Sequence, residues 1–150
     1  MAKIAILAGE PSGDLIASQL MAYVGSKVKN IEFIGVGGPL MKKQGLKSFF
    51  DYSNLSLYGV FQVIPNIPKL IFLRYKLINY LRNEKPDIFI GVDAPDFNFY
   101  IEKKLKQSGI PTFHYVAPSV WAWRPNRVYK IKKSTDHIFS IFPHEKPLFE

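Results

Sequence analysis

The sequence predicts an α/β fold in which helices cover both faces of a parallel, doubly wound β-sheet. Short apolar runs of strand length alternate along the chain with longer amphipathic patterns of helical period. The apolar runs are nearly continuous, which is typical of parallel strands that are buried on both faces. The 150 residues, of which 47% are hydrophobic and 21% charged, fit one globular domain with a sizeable core.

The first half of the chain supplies three expected strands and two expected helices. Apolar residues at helical spacing, such as Leu15, Leu20 and Val24, place the first helix after the first strand. A glycine turn separates the second strand from a short helix, and the third strand has the weakest pattern. The expected ranges are strands at residues 3–8, 31–36 and 47–50 and helices at residues 15–24 and 40–44.

The second half continues the alternation with a long helix, two strand–helix units and a last strand. The long helix, at residues 65–81, is expected to be interrupted early by Pro68. Strands are expected at residues 88–92, 112–116 and 137–142, and helices at residues 100–107 and 127–133. No closing helix follows the last strand, so residues 1–150 are expected to be one Rossmann-like domain of a larger enzyme, or a fragment.

The composition of the chain excludes some kinds of catalytic chemistry and favours a negatively charged binding partner. The chain has no cysteine, which excludes disulfides and thiolate chemistry, and its three histidines show no metal-ligand spacing. The net charge of +8 favours a negatively charged partner: nucleic acid, an anionic membrane or a phosphorylated substrate. No nucleic-acid-binding signature accompanies this charge. The N-terminus lacks a signal-peptide pattern, so a cytoplasmic location is expected.

Two carboxylates follow an apolar strand in the second half of the chain. Asp93 stands where the strand at residues 88–92 must end, and Asp96 follows it beyond a proline. Open α/β sheets bind their ligands at the carboxyl ends of the strands. A carboxylate at a buried strand end is costly unless it is paired or used. Asp93 is therefore the first candidate for chemistry, and Asp96 is its nearest rival.

Two glycine-containing turns follow the first and second strands. The segment from Gly9 to Asp14 leads into the first helix, where glycines let a ligand approach the backbone and helix amides favour an anion. Its spacing matches neither nucleotide-binding glycine motif, and capping of the helix by Ser12 or Asp14 explains it equally well. The turn at Gly37 and Gly38 either is structural or lines the same cleft, because it also lies at a strand end.

The loop after the strand at residues 112–116 has an unusual composition. Its aromatic and polar residues include Trp121, Trp123, Ser119 and Arg124. Core packing would account for one tryptophan, whereas two beside polar side chains favour the wall of a pocket for a sugar or acyl group. His114, at the strand end, is either a satisfied core histidine or a second polar group close to Asp93.

Residues 58–73 are unusually apolar for a segment that contains two prolines. A buried core helix explains part of the pattern, but the apolar residues exceed what one buried stripe needs. Lys69, Arg74 and Lys76 accompany them, which favours an amphipathic surface attracted to anionic headgroups. The residues expected to contact membrane or acyl chains are Phe61, Val63, Ile64, Ile67, Leu70 and Ile71.

Four motifs of the chain belong together through their order and spacing. They are Ala8-Gly-Glu-Pro-Ser-Gly-Asp14, Gly35-Val-Gly-Gly-Pro39, Gly91-Val-Asp-Ala-Pro-Asp-Phe-Asn98 and His114-Tyr-Val-Ala-Pro-Ser-Val-Trp-Ala-Trp123. They resemble the motifs of the lipid-A-disaccharide synthase family, and the resemblance covers essentially the whole chain. The sequence departs from the family at Ala117, where serine is common, and at His144, where phenylalanine is usual.

The resemblance implies the N-terminal, acceptor-side half of a glycosyltransferase-B fold, without the donor half that grips UDP. The family joins UDP-2,3-diacylglucosamine to 2,3-diacylglucosamine 1-phosphate and releases UDP, by inversion and without a metal or cofactor. It works on the cytoplasmic side of the inner membrane of Gram-negative bacteria. The implied partners are the two substrates and the membrane surface, with no nucleic acid, and a homodimer of the full-length protein is left open. The alternative is a truncated, non-catalytic fragment that at most binds the diacyl-sugar phosphate or the membrane.

The resemblance also implies a role for each polar strand end. Asp93 is expected to act as the general base that takes a proton from the acceptor hydroxyl. Asp96 and Asn98 are expected to brace their loop or cap the following helix, and Arg124 to lie near a phosphate. The residues expected to bind substrate are Ser12, Gly13, Asp14, Gly37, Gly38, Asp96, Asn98, His114, Ser119, Trp121 and Arg124.

Overall fold

The computed structural model describes residues 1–55, 60–117 and 127–140. In these residues six strands form a single sheet. The strands are β1 (Ala2–Ala8), β2 (Ile31–Val36), β3 (Leu46–Ser48), β4 (Ile88–Val92), β5 (Thr112–Tyr115) and β6 (His137–Phe139). Every pairing is parallel and the order is β3-β2-β1-β4-β5-β6, which confirms the predicted Rossmann-like sheet.

Helices cover both faces of this sheet. They are α1 (Pro11–Lys27), α2 (Pro39–Lys43), α3 (Val60–Glu84), α4 (Pro95–Lys106) and α5 (Arg127–Ser134), with a short 3₁₀ helix at Tyr52–Asn54. Strand β1 sends alternate side chains into two hydrophobic clusters. Ala5 and Leu7 pack with α3 and α4, whereas Ile4 and Ile6 pack with α1 and α2. The continuous apolar runs are therefore explained by burial on both faces.

The strand order reverses between β1 and β4, and this reversal positions the site. After β1 the chain builds outward to β3, returns to β4, and then builds outward to β6. The two central strands pair from Ile4 with Ile88 to Ala8 with Val92, so they end at the same level. The connections that leave them diverge to opposite sides, which opens a crevice between β1 and β4.

Two helices begin several residues earlier than expected. Helix α1 begins at Pro11 rather than near residue 15, and α4 begins at Pro95 rather than near residue 100. In both, proline occupies the first helical turn, where its missing N–H costs nothing. Asp96 and Asn98 therefore belong to the first turns of α4 and not to a loop before it.

Helix α3 corrects the expectation that Pro68 interrupts it. The helix runs without a break from Val60 to Glu84, through both prolines. Its last turns are held by Leu77, Ile78 and Leu81, which are buried in the core, and such packing supplies most of the stability of helices in proteins. Strand β3 is shorter than expected, and residues 141–142 of the expected last strand lie outside the described residues. No helix in the described part combines the length and apolarity needed to cross a bilayer.

Candidate functional site

The turn between β4 and α4 holds Asp93 in an unusual backbone conformation. Asp93 has a φ of 53° and Ala94 a φ of 41°, both in the left-handed region that non-glycine residues seldom adopt. The Asp93 amide donates to the Tyr115 carbonyl of β5 at 3.1 Å, and the amides of Phe97 and Asn98 donate to the Ala94 carbonyl. The turn leaves the Asp93 side chain half-buried at the reversal of the strand order.

Asn98 braces this turn from inside α4. Its Nδ2 atom donates to the Asp93 carbonyl at 2.7 Å and to the Val92 carbonyl at 3.3 Å, and the residue is fully buried. Strained backbone persists where the surroundings over-determine it, and these bonds do so here. A direct contact of Asn98 with substrate stays a prediction.

The carboxylate of Asp93 is largely open. In the described part of the chain it takes one hydrogen bond, from Ser12 Oγ to its Oδ2 atom at 3.5 Å, and Ser12 itself is exposed. A carboxylate has about four acceptor positions. Most positions at Asp93 are therefore open to a hydroxyl that approaches from the crevice.

Asp14 lies at the same edge of the sheet but is saturated by backbone amides. It is 3% exposed. Its Oδ1 accepts from the amides of Gly38 at 2.9 Å and Met41 at 3.0 Å, and its Oδ2 accepts from the Leu40 amide at 3.0 Å. Asp14 thus caps the N-terminus of α2 rather than that of its own helix. A side chain on Gly38 would place its Cβ 2.5 Å from Asp14 Oδ2, which explains the glycine.

Gly13 and Gly37 let the elements around the crevice pack closely. A Cβ on Gly13 would lie 3.3 Å from Ala8 Cβ, so glycine allows α1 to lie against β1. A Cβ on Gly37 would collide with the side chains of Met41 and Leu46. Both glycines shape this edge of the sheet, and their contact with substrate stays a prediction.

His114 and Glu102 form a buried pair beside β4. His114 Nδ1 lies 2.7 Å from Glu102 Oε1, and both side chains are fully buried. The Phe99 ring stacks on the imidazole with centroids 4.3 Å apart. Burial raises the pKa of Glu102, and its contact with His114 offsets part of that rise. A Cβ on Gly91 would collide with Glu102, which places the pair directly against the strand that carries Asp93.

Sequence reasoning missed Glu102. It follows Ile101 and lies one turn after Asn98, on the buried face of α4. A single carboxylate within an apolar helical stripe is the signal that could have identified it. His114 is a core histidine with a partner at Nδ1, and its role toward substrate stays a prediction.

A cavity of about 390 Å³ opens beside the two turns that leave β1 and β4. One face of α3 forms its opposite wall. The apolar lining residues are Leu55, Ile67, Leu70, Ile71, Ala94, Pro95 and Phe97. The charged lining residues are Glu10, Asp96 and Arg74. The cavity brings the expected acyl-contacting part of α3 next to Asp96 and Ala94, whereas Leu55 and Arg74 were not selected as site residues from the sequence.

The exposed side of α3 is apolar over several turns. Ile67, Ile71, Phe72 and Tyr75 are 44%, 59%, 56% and 65% exposed. Leu70, by contrast, is partly buried against the core. Large apolar side chains that cluster on one exposed surface typically mark a binding surface.

Several expected site residues cannot be placed. Ser119, Trp121 and Arg124 lie outside the described residues, and their roles stay predictions. Phe61, Val63 and Ile64 belong to the backbone of α3, but their side chains also lie outside the described part. In the residues that are described, no three acidic or histidine side chains gather where they could hold a metal ion.

Comparisons with known proteins identify close relatives. The sequence profile of the family described as lipid-A-disaccharide synthetase matches residues 4–150. The lipid-A-disaccharide synthase of Idiomarina loihiensis is 50% identical over 148 residues, which are 99% of this chain and 39% of the relative. That of Chromobacterium violaceum is 48% identical over 147 residues, 98% of this chain and 38% of the relative. The chain therefore spans well under half the length of the curated relatives that it matches.

Solved structures share the fold. A Listeria monocytogenes protein assigned as a UDP-N-acetylglucosamine 2-epimerase matches with a TM-score of 0.63 at 12% identity, over 99% of this chain and 40% of that one. The S. aureus MnaA–UDP co-structure matches with a TM-score of 0.60 at 16% identity, over 93% of this chain and 38% of that one. At these identities the likeness supports the Rossmann-like fold and nothing finer.

Proposed function

The chain belongs to the lipid-A-disaccharide synthetase family, and we propose that it forms the N-terminal, acceptor-binding domain of an inverting glycosyltransferase. In the proposed reaction, a hydroxyl of 2,3-diacylglucosamine 1-phosphate attacks the anomeric carbon of UDP-2,3-diacylglucosamine. The new glycosidic bond forms as the bond to UDP breaks, and the hydroxyl proton passes to a base. The observation that carries the proposal is the open Asp93 carboxylate, held on a strained turn beside an apolar cavity.

Asp93 is the proposed base. A general base must reach the proton that it removes, and Asp93 projects from the end of β4 where ligands of such sheets bind. The bonds from Asn98 and to Tyr115 fix the backbone of the turn, so the position from which the carboxylate projects is set before substrate arrives. Ser12, whose Oγ lies 3.5 Å from Asp93 Oδ2, is proposed to contact the same hydroxyl.

Of the remaining predicted binding residues, some are proposed to contact the acceptor and others to support the elements around it. Asp96 lines the cavity, and Ser119, Trp121 and Arg124 are proposed to complete its rim. The buried residues Gly13, Asp14, Gly37, Gly38, Asn98 and His114 are proposed to support the crevice that the acceptor enters. UDP is proposed to bind to a second domain, as the resemblance implies.

The apolar side of α3 is proposed to meet the cytoplasmic face of the inner membrane. Ile67, Ile71 and Phe72 are exposed, and Lys76 Nζ lies 4.6 Å from the centroid of the Phe72 ring. Apolar side chains with lysines beside them suit an anionic membrane interface. The acyl chains of the acceptor would then enter the cavity from this side, along Leu70 and the proposed contacts Phe61, Val63 and Ile64.

A chimera tests the reaction. We would join residues 1–150 to the rest of the Idiomarina loihiensis relative and measure disaccharide formation and UDP release. Asp93→Ala is expected to lower kcat by about 10²- to 10⁴-fold with little change in the KM of the acceptor. Asp87→Ala, at the opposite end of the same strand, is the control and should leave the rate unchanged. A folded chimera without product would contradict the proposed reaction, and near-normal turnover of Asp93→Ala would remove it from the base role.

Vesicle sedimentation tests the membrane contact. Changing Ile67, Ile71 and Phe72 together to serine is expected to weaken binding to phosphatidylglycerol vesicles by more than about tenfold, because three apolar side chains leave the interface. The matched control changes Leu15, Tyr23 and Val28, which are 49%, 64% and 46% exposed on or just after α1. Equal losses in the two triple variants would rule out a specific role for α3.

A further inference from the structure

Arg74 is held in place between α3 and α4. Its guanidinium carbon lies 4.9 Å from the centroid of the Phe97 ring and 5.3 Å from that of Tyr100. Its Nη2 atom donates to the Asp96 carbonyl at 2.9 Å. Cation–π contacts with two rings and a hydrogen bond to the backbone fix the orientation of the side chain. The guanidinium is therefore preorganised at the wall of the cavity that adjoins the β4–α4 turn.

This cation lacks a full set of partners. Its Nε atom is buried and has no hydrogen-bond partner among the described residues, although Tyr100 and the Asp96 carboxylate favour its positive charge electrostatically. Burial lowers the pKa of Arg74, although an arginine stays charged in proteins. A buried donor on a charged group is costly when it is unpaired. The structure thus maintains a half-buried, oriented guanidinium with one buried N–H donor that no described group satisfies.

The rest of the cavity indicates which kind of ligand could satisfy this donor. Seven of the eleven lining residues are apolar, which suits acyl chains. The carboxylate of Glu10 can accept hydrogen bonds from sugar hydroxyls. Arg74 is the cationic lining residue, and a guanidinium binds a phosphate group with two parallel hydrogen bonds. An acylated sugar that carries a phosphate monoester matches all three chemistries.

We propose that Arg74 binds the phosphate group of the acylated sugar phosphate that occupies this cavity. The inference rests on the proposed acceptor-binding function and adds a specificity residue to it. Arg74 would orient the acceptor so that its hydroxyl faces Asp93, and it would discriminate against acceptors without the phosphate. Ala94 lines the same cavity and follows Asp93 directly, so the proposed sugar would lie beside the turn that carries the proposed base.

The test measures binding of two micellar probes to the 150-residue chain: 2,3-diacylglucosamine 1-phosphate and the same diacylglucosamine without phosphate. Arg74→Gln is expected to weaken binding of the phosphorylated probe by about 10- to 100-fold and to leave binding of the other probe unchanged. Arg82→Gln is the matched control, because it removes the same charge from α3 two turns later, where the guanidinium contacts Ser108 and the Lys104 carbonyl. Arg74→Lys keeps the charge but not the paired N–H donors of the guanidinium, so we expect an intermediate loss of binding to the phosphorylated probe. This variant replaces Arg74→Gln in the test if Arg74→Gln does not fold.

Two further arms separate the sources of phosphate. Inorganic phosphate and phosphatidylglycerol vesicles should bind the Arg74 variants and the unaltered chain alike; a selective loss with vesicles would assign Arg74 to the membrane and overturn the inference. Equal losses for both sugar probes would make Arg74 merely structural, and no loss at all would also overturn it. If Arg74 fails while the chimera still makes disaccharide, the proposed function stands. If the unaltered chain binds neither probe, both proposals fail.

Discussion

Asp14 and Asp93 follow neighbouring strands at one edge of the sheet, but the backbone surrounds only one of them. Asp14 is 3% exposed and accepts hydrogen bonds from three amides at the start of α2. Asp93 is half-buried and takes, in the described residues, a single long hydrogen bond from Ser12. Position at a strand end does not by itself make a carboxylate available for chemistry, because the donors around it decide whether its lone pairs are free.

The two turns differ in how they are built. The β2–α2 turn uses Gly37 and Gly38 to bring amides onto Asp14, so the carboxylate joins α1 to α2. The β4–α4 turn uses left-handed residues and the buried amide of Asn98, which holds only the backbone of Asp93. The first arrangement stabilises the fold, and the second presents a side chain.

The largest expected effect comes from removing the saturated carboxylate. Asp14→Ala should lower the free energy of unfolding by about 3 kcal/mol, because three amides at the start of α2 lose their acceptor and those of Gly38 and Met41 are buried. Urea denaturation followed by circular dichroism measures this change. Asp93→Ala is the comparison and should change stability by less than about 1 kcal/mol. Equal losses of stability in the two variants would show that Asp93 supports the fold as much as Asp14 does.

The sequence predicts most of the fold, since burial on both faces leaves a strong pattern. Strands β2 and β4 have the predicted bounds, residues 31–36 and 88–92, because continuous apolar runs stop where the strands leave the core. The starts of α1 and α4 were wrong because they depend on turn geometry. Ala94, for example, adopts a left-handed conformation that no apolar periodicity reveals.

The site is less accessible to sequence reasoning, because its partners are distant in the chain. Asp93 could be selected, since the end of an apolar strand is a local signal. The partners of Asp14 lie 24 to 27 residues away in a different helix. Arg74 was visible only as a charge beside an apolar segment, and its contact with α4 depends on the packing of two helices.

Glu102 is as buried as Asp14, but no backbone amide is seen to donate to it among the described residues. Burial raises the pKa of Glu102 above its ordinary value of 4.5, so the folded protein keeps a proton that the unfolded chain has already lost. Stability is therefore greatest below the unfolded pKa and falls as the pH rises toward the folded pKa. Glu102→Gln can still hydrogen-bond to His114 Nδ1 and has no proton to lose. It should flatten this decline, by at most about 1.4 kcal/mol per pH unit, in denaturation measured from pH 4 upward.

This experiment shows whether burial without amide donors is enough to keep the Glu102 carboxyl protonated. If Glu102→Gln leaves the pH dependence unchanged, the carboxylate is ionised in the folded state, and the number of amide donors does not distinguish it from Asp14. A variant that loses stability equally at every pH would instead indicate a packing defect, because only a proton difference between the folded and unfolded states produces a slope.

The smallest expected effect comes from the strain at Asp93. Glycine adopts the left-handed conformation without steric cost, so Asp93→Gly should raise the free energy of unfolding by about 0.5 kcal/mol while it removes the proposed base. Lys85→Gly is the control, because Lys85 has a φ of 47° directly after α3 and should show a similar gain. If Asp93→Gly instead loses more than about 1 kcal/mol, the carboxylate supports the fold as Asp14 does. A gain in stability together with a lost rate in the chimera would mean that the chain keeps a strained aspartate at this turn for its chemistry rather than for its fold.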